Sequence, residues 1–314
     1  MKSKILFLAV IFTIILISAG CSSKENQNTK SKETLTIYTT IFPIEDFTAK
    51  IGGEHVNVES ILPPGADAHT FEPSAKTMTK IADADALIYT GVGLEGFVDA
   101  VKETLKDEHV TLIPAGEKID LEETHDHDHD DEKQNESHTH NDVDPHVWID
   151  PIHSITLAKE IKDSLVKLKP EQSDDFEKNY QMLKQQLEVL DEEFRNLVRA
   201  TATNEILVSH AAYGYWEKRY GIHQISVSGL SPTQEPSQKQ LQEVIETAKE
   251  HKVKYVIFEQ NLTSSIAEMV QTELGAEALT LHNLEALTDK DIKNKEDYFS
   301  LMNKNVETLK KAMN

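Results

Sequence analysis

The sequence predicts an α/β protein of two Rossmann-like lobes with parallel sheets, joined by one long rigid helix. Two observations carry this expectation. Short β-rich runs alternate with helical runs twice along the chain, and such alternation builds parallel sheets with helices on their faces. Between the two alternating stretches, Phe176, Tyr180, Leu183, Leu187, Leu190, Phe194 and Leu197 form one apolar stripe with steps of 4, 3, 4, 3, 4 and 3, the spacing of a helix with one buried face.

The elements follow in order. After a short basic start, residues 5–19 are apolar except for Thr13 and Ser18. That run is too short for a comfortable membrane span and fits a secretory leader, so residues 1–20 are read as a signal peptide. Ser18, Ala19 and Gly20 lead directly into Cys21, the chain's only cysteine. A lone cysteine has no disulfide partner within the chain, and its place after small residues resembles a bacterial lipobox, although Ser18 stands where leucine is usual. Cys21 is therefore expected to carry a lipid. Residues 21–34, polar and without apolar periodicity, form its flexible tether.

The first lobe is expected over residues 35–168, with strands at 35–40, 56–62, 86–90 and 110–114 and helices at 44–51, 74–82 and 94–105. The connecting helix occupies 169–200, with Ser173, Asp174 and Asp175 as its cap and first turn. Its stripe fits a helix packed along its own protein better than a coiled-coil dimer, which usually repeats further. The second lobe, 201–314, carries strands at 206–209, 223–227, 255–258 and 278–281 and helices at 238–251, 264–273 and 295–313.

Residues 122–142 fit neither lobe. They hold five His and nine Asp or Glu and no aliphatic side chain, so they can bury no core. Imidazoles and carboxylates at this density collect transition metals. His125, His127, His129, His138 and His140 are read as an auxiliary, low-affinity metal loop, against the plainer reading of a solvated insertion. The whole chain has 54 acidic against 32 basic residues, a net charge of −22, which argues against nucleic acid as a partner.

Three other histidines share a setting. His69 lies between a predicted strand and a helix, His146 in a connection leading into a helix, and His210 at the end of the strand 206–209. Open α/β sheets bind ligands at such places. His55, His109, His153, His223, His251 and His282 lack that setting and are expected to be surface or capping residues.

With these segments in view, the chain resembles the metal-binding lipoproteins of bacterial ABC importers, in the branch that handles zinc and manganese. The resemblance is carried by residues 39–43 (TTIFP), 65–74 with His69, 144–151 with His146, 209–215 with His210 and 229–237 (GLSPTQEPS). It implies two α/β lobes on a rigid helix with one buried metal ion between them. It also implies a fourth ligand, a carboxylate late in the second lobe, which falls on Glu285; Glu259, after another predicted strand, is the rival. Three imidazoles and one carboxylate suit Zn²⁺, whereas manganese favours more oxygen and manganese members of the family carry a carboxylate where His210 stands. The implied partners are the zinc ion as cargo, an ABC permease and, through the lipid, the extracellular face of the cell membrane; the protein is expected to be a monomer. A manganese carrier is the alternative. A zinc hydrolase is a poorer one, because no HExxH helix is present and a fourth ligand would close the position that an activated water needs.

Overall fold

In the computed structural model, residues 34–121, 143–262 and 264–314 are described. The expected signal peptide, Cys21, the expected tether up to residue 33 and the histidines His125, His127, His129, His138 and His140 of the expected auxiliary loop lie outside them. The first lobe carries β1 (Leu35–Thr39), β2 (Val56–Ser60), β3 (Ala86–Tyr89) and β4 (Thr111–Pro114) in the order β2-β1-β3-β4. The second repeats that order with β5 (Glu205–His210), β6 (His223–Ser228), β7 (Tyr255–Glu259) and β8 (Glu277–Leu281) as β6-β5-β7-β8. Every pairing is parallel, so each return of the chain crosses over a face of its sheet.

Strand alternation divides the packing. Ile37 of β1 with Ala86 and Ile88 of β3, and Ile206 and Val208 of β5 with Ile257 of β7, face one large core that both lobes share. Their neighbours Tyr38, Leu87 and Tyr89 face a cluster private to the first lobe, and Leu207 and Val256 face one private to the second. A side-chain period of two makes each sheet wet neither face. One face of each sheet therefore belongs to an interior that separating the lobes would expose.

That interior is organised by helices. α1 (Phe42–Gly52), α4 (Pro151–Leu168) and α5 (Ser173–Ala200) pack on one another, and α5 also meets α6 (Gly214–Tyr220) and the last helix, α10 (Tyr298–Ala312). The 28 residues of α5 make it about 42 Å long. All seven residues of its apolar stripe are buried within the chain, so the stripe serves the protein's own core. α10 returns from the second lobe to α1 of the first, where the Tyr298 and Phe47 rings meet edge to face at 4.8 Å.

Local chemistry shifts some boundaries. Ser173 is the first helical residue of α5 and not its cap, because a short turn at Pro170–Gln172 delivers the chain in helical geometry and Gln172 makes no side-chain cap bond. Asp174 and Asp175 still lie in the first turn, where the helix dipole favours negative charge. The helix predicted from 295 begins at Tyr298. Lys295 takes a left-handed φ of 56° that ends α9 (Asp289–Asn294), and Asp297 caps α10 through the Ser300 N–H. α4, the helix into which the His146 connection leads, is fixed at its start by Asp150, which accepts from the Ile152 and His153 N–H groups, with Pro151 following, a favoured start for a helix.

Candidate metal centre

In each sheet the order reverses between the first and third strands, and the crevice beyond their carboxyl ends is where such sheets accept ligands. His210 is the last residue of β5. It shares a face with Ile206 and Val208 by the two-residue period, so it projects to the side of the shared core. Glu259, the last residue of β7, shares its face with Ile257 in the same way. His69 sits in the loop before α2 (Ala75–Ala82). Asp67 shapes that loop by accepting from the His69 N–H at 3.0 Å and from the Thr70 hydroxyl at 2.8 Å, a turn that aspartate favours. His146 opens the short turn Val147–Ile149 ahead of α4, and Glu285 lies between β8 and α9.

These positions converge. One ligand atom from each of His69, His146, His210 and Glu285 falls within 4.8 Å of the others. His146 Nε2 lies 3.2 Å from His69 Nε2 and 3.3 Å from His210 Nε2. Glu285 Oε1 is 3.6 Å from His69 Nε2 and 4.0 Å from His146 Nε2. A tetrahedral ion with bonds near 2.0–2.1 Å needs ligand atoms about 3.3 Å apart; the two imidazole distances from His146 match that, and the remaining ones, up to 4.8 Å, are wider. Glu285 is fully buried; its Oε2 accepts from the Ala68 N–H at 3.0 Å, while its Oε1 has no hydrogen-bond partner among the described residues. A buried carboxylate oxygen without a partner costs roughly 1–3 kcal/mol or more. Facing three imidazole nitrogens, it fits a cation.

A further layer orients the rings. Asp144 Oδ1 lies 2.8 Å from His146 Nδ1 and also accepts the His146 N–H at 2.9 Å. Glu259 Oε1 is in close contact with His210 Nδ1, and Glu259 Oε2 accepts from Asn283 Nδ2 at 2.9 Å. Each carboxylate favours a proton on Nδ1, which leaves Nε2 to face the centre. Glu259 is thereby placed behind His210, outside the group of four that includes Glu285. Asp150, the other acidic residue of the 144–150 segment, caps α4 and pairs with Arg219 at 2.5 Å.

The two supported imidazoles are pushed in opposite directions. Burial drives His146 below the ordinary histidine range, and Asp144 does not overcome it. Burial also acts downward on His210, but the Glu259 carboxylate outweighs it and the net shift is upward. For Glu285 burial acts upward, and the facing His69 and His146 with the Ala68 N–H outweigh it, so its carboxyl stays below the usual range. The carboxylate is thus ready as an anion.

The segment from Asp144 to Asp150 fastens the lobes around this centre. Tyr215 donates to the Asp144 carbonyl at 2.7 Å and Trp216 to the Ile149 carbonyl at 2.8 Å. Trp148 donates to the Asn283 carbonyl and Tyr298 to the Trp148 carbonyl, each at 2.8 Å. From the other side, Phe42 N–H bonds the Glu285 carbonyl and Gly65 N–H the Leu287 carbonyl, both at 2.9 Å. The Glu285 loop holds a strained residue as well: Leu284 has φ of 65°, which costs a non-glycine residue roughly 1–2 kcal/mol. It is kept there by full burial and by donating its N–H to His282 Nδ1 at 2.9 Å.

Sequence reasoning missed Glu259's part as partner of His210, and Asn283. The register of β5 on β7, Leu207 with Val256 and Val208 with Ile257, places Glu259 opposite His210 when continued by two residues, so a correct strand pairing would have found it. His55 and His282, expected at the surface or in caps, are buried. His55 is held by Asp175 of α5 at 3.1 Å and stands edge-on to Phe176. His282 lies between the Leu284 N–H and Asp291, with Nε2 3.3 Å from Asp291 Oδ2.

Comparisons with known proteins give the family. The zinc-binding lipoprotein AdcA of Streptococcus pneumoniae is 35% identical over 321 residues, covering 99% of this chain and 61% of that protein, so the chain spans about three fifths of that relative's length. The high-affinity zinc uptake system protein ZnuA of Bacillus subtilis is 32% identical over 311 residues, covering 99% of this chain and 97% of that protein. The crystal structure of the Zn(II)-bound ZnuA-like domain of S. pneumoniae AdcA matches with a TM-score of 0.74 at 34% identity, covering 89% of this chain and 99% of that one. Residues 37–312 match the family described as ZnuA, zinc-uptake complex component A, periplasmic, and the chain belongs to that family.

Proposed function

We propose that this chain is the zinc-capturing component of an ABC-type uptake system, binding Zn²⁺ between its lobes and passing it to a membrane permease. His69, His146 and His210 supply Nε2 and Glu285 supplies Oε1. The observation that carries the reading is the convergence of those four atoms around a buried carboxylate oxygen that has no other partner. Three nitrogens and one oxygen suit zinc, and they suit manganese less well because it favours more oxygen. Asp144 and Glu259 behind the imidazoles offset the excess positive charge of Zn²⁺ against a single ligand carboxylate. Four protein ligands leave no coordination place for an activated water, so the site holds and releases its ion as cargo and performs no hydrolysis.

Residues 1–20 act as the signal peptide in this reading, and a lipid on Cys21 holds a monomeric chain at the extracellular face of the membrane through the tether. Residues 35–168 and 201–314 are the lobes and 169–200 the connecting helix. The histidines of 122–142 collect metal weakly. The bonds between the lobes argue that release follows from a local shift of a ligand-bearing loop on the permease, without wide opening. Metal analysis and calorimetry on the purified chain test the central claim. One tightly held zinc per chain is expected, and Glu285→Gln should weaken it at least about tenfold. Tight zinc binding unaltered in that variant would remove Glu285 from the site.

A further inference from the structure

Three of the four residues are closed off, with His146 and Glu285 0% exposed and His210 1% exposed, while His69 keeps about a tenth of its side chain exposed. An ion that is to meet His210 needs a way past the residues that cover it. A cavity of about 230 Å³ ends on His210 and is walled by Asp67, Ser228, Thr233, Glu235 and Ser265 among others. We propose that this cavity is the passage by which zinc enters and leaves, with Asp67 and Glu235 as transient oxygen ligands at its mouth. The inference rests on the zinc-capture reading and adds the route.

Its size and lining suit that use. Six waters at roughly 30 Å³ each occupy about 180 Å³, so a hydrated ion fits before it sheds its shell. Hydroxyls and carboxylates can replace lost waters one at a time, yet they bind zinc less well than the imidazoles beyond them. Each step inward therefore leads to firmer ligands. The walls come from both lobes, with Asp67 from the first and Thr233, Glu235 and Ser265 from the second. The interlobe bonds thus hold the passage's width as well as the site.

One wall is also braced internally. Gln234 accepts the Ser231 N–H at 3.1 Å through its side chain, and the Gly229 N–H bonds its carbonyl at 3.2 Å. A Cβ on Gly229 would meet Gln234 Oε1 at 2.4 Å, so this loop closes tightly only with glycine there. Another part of the lining is the start of α8 (Ser265–Leu274), where Ser264 accepts the Ala267 N–H at 3.1 Å. Passage through a braced opening is governed by what its walls allow, so a side chain that narrows it acts on rates.

Thr233→Trp and Ser265→Trp narrow the cavity from two different elements of its lining, and both positions are exposed, which spares the fold. Zinc uptake, and zinc release to a chromogenic chelator, are followed by stopped flow in the full chain. Obstruction raises the barrier and leaves the bound state alone, so both rates should fall by about tenfold, with the equilibrium affinity unchanged. Glu235→Lys should slow uptake, by a factor that shrinks as salt rises. Unaltered rates in both tryptophan variants, or a change in affinity with uptake unaltered, would overturn the passage while zinc capture stands. Failure of the unsubstituted chain to bind zinc would instead overturn the zinc-capture reading, and the passage with it.

Discussion

The two lobes have the same strand order, yet they equip the centre differently. The first lobe offers His69 and His146 from loops, and its imidazole His146 is held by a carboxylate two residues away, Asp144. The second offers His210 from the end of a strand, held by Glu259, which is 49 residues further along and adjacent only because β5 pairs with β7. The fourth member of the group completes the exchange, since Glu285 of the second lobe is fixed by the Ala68 N–H of the first. One fold repeated twice thus gives a locally assembled half-site and one assembled by sheet register. The electrostatics follow this division, with burial prevailing at His146 and the carboxylate prevailing at His210.

The sharpest way to break the comparison is to remove the locally supported imidazole. His146 is central, with its Nε2 close to both other imidazoles. His146→Ala should lower zinc affinity by more than about a hundredfold, beyond the loss of an outer partner, as read by calorimetry against a competing chelator. Undiminished affinity would take this residue out of the centre.

Glu259→Gln sharpens the contrast between the halves. Loss of the carboxylate behind His210 should cost about 10–100-fold in affinity near pH 8. The same variant should change the pH profile. In the unsubstituted chain the raised His210 keeps its proton to a higher pH than an ordinary imidazole of about 6.5, so zinc binding should weaken first through His210 as pH falls. His146, pushed downward, stays neutral further into acid. Without the Glu259 charge, burial governs His210 too, and the midpoint of acid release should move to lower pH. A midpoint that stays in place would show that Glu259 does not set the proton affinity of His210.

The smallest effect is expected from deleting residues 122–142. None of the four converging residues lies in that segment, so one tight zinc site should remain, with affinity altered by less than about threefold, while weaker additional binding is lost. Loss of the tight site would mean that the segment supplies a ligand.

Much of the architecture could be read from periodicity. The stripe from Phe176 to Leu197 defined α5, because a helix that buries one face must repeat its apolar residues every three or four positions. All eight strands were placed to within about two residues, since β-rich runs between turn residues are a local signal. Boundaries set by capping were less legible: a turn at 170–172 displaced the start of α5, and Asp297 fixed that of α10. Of the centre, the three histidines could be singled out by their positions after strands or before helices, and Glu285 came through the family resemblance. Glu259 was visible only as a rival.

What the sequence determined by itself was a pattern of local preferences: which runs become strands, which face of a helix is buried, and which imidazoles stand at strand ends and turns. The tertiary structure alone decided that Glu285 points an unsatisfied oxygen at three nitrogens while Glu259 stands behind one of them. Both are carboxylates at or beyond the carboxyl end of a strand in the same lobe. Their roles diverge through sheet register and through a single backbone N–H from the other lobe, interactions between residues far apart in the chain whose geometry exists only once both lobes have closed on their shared core.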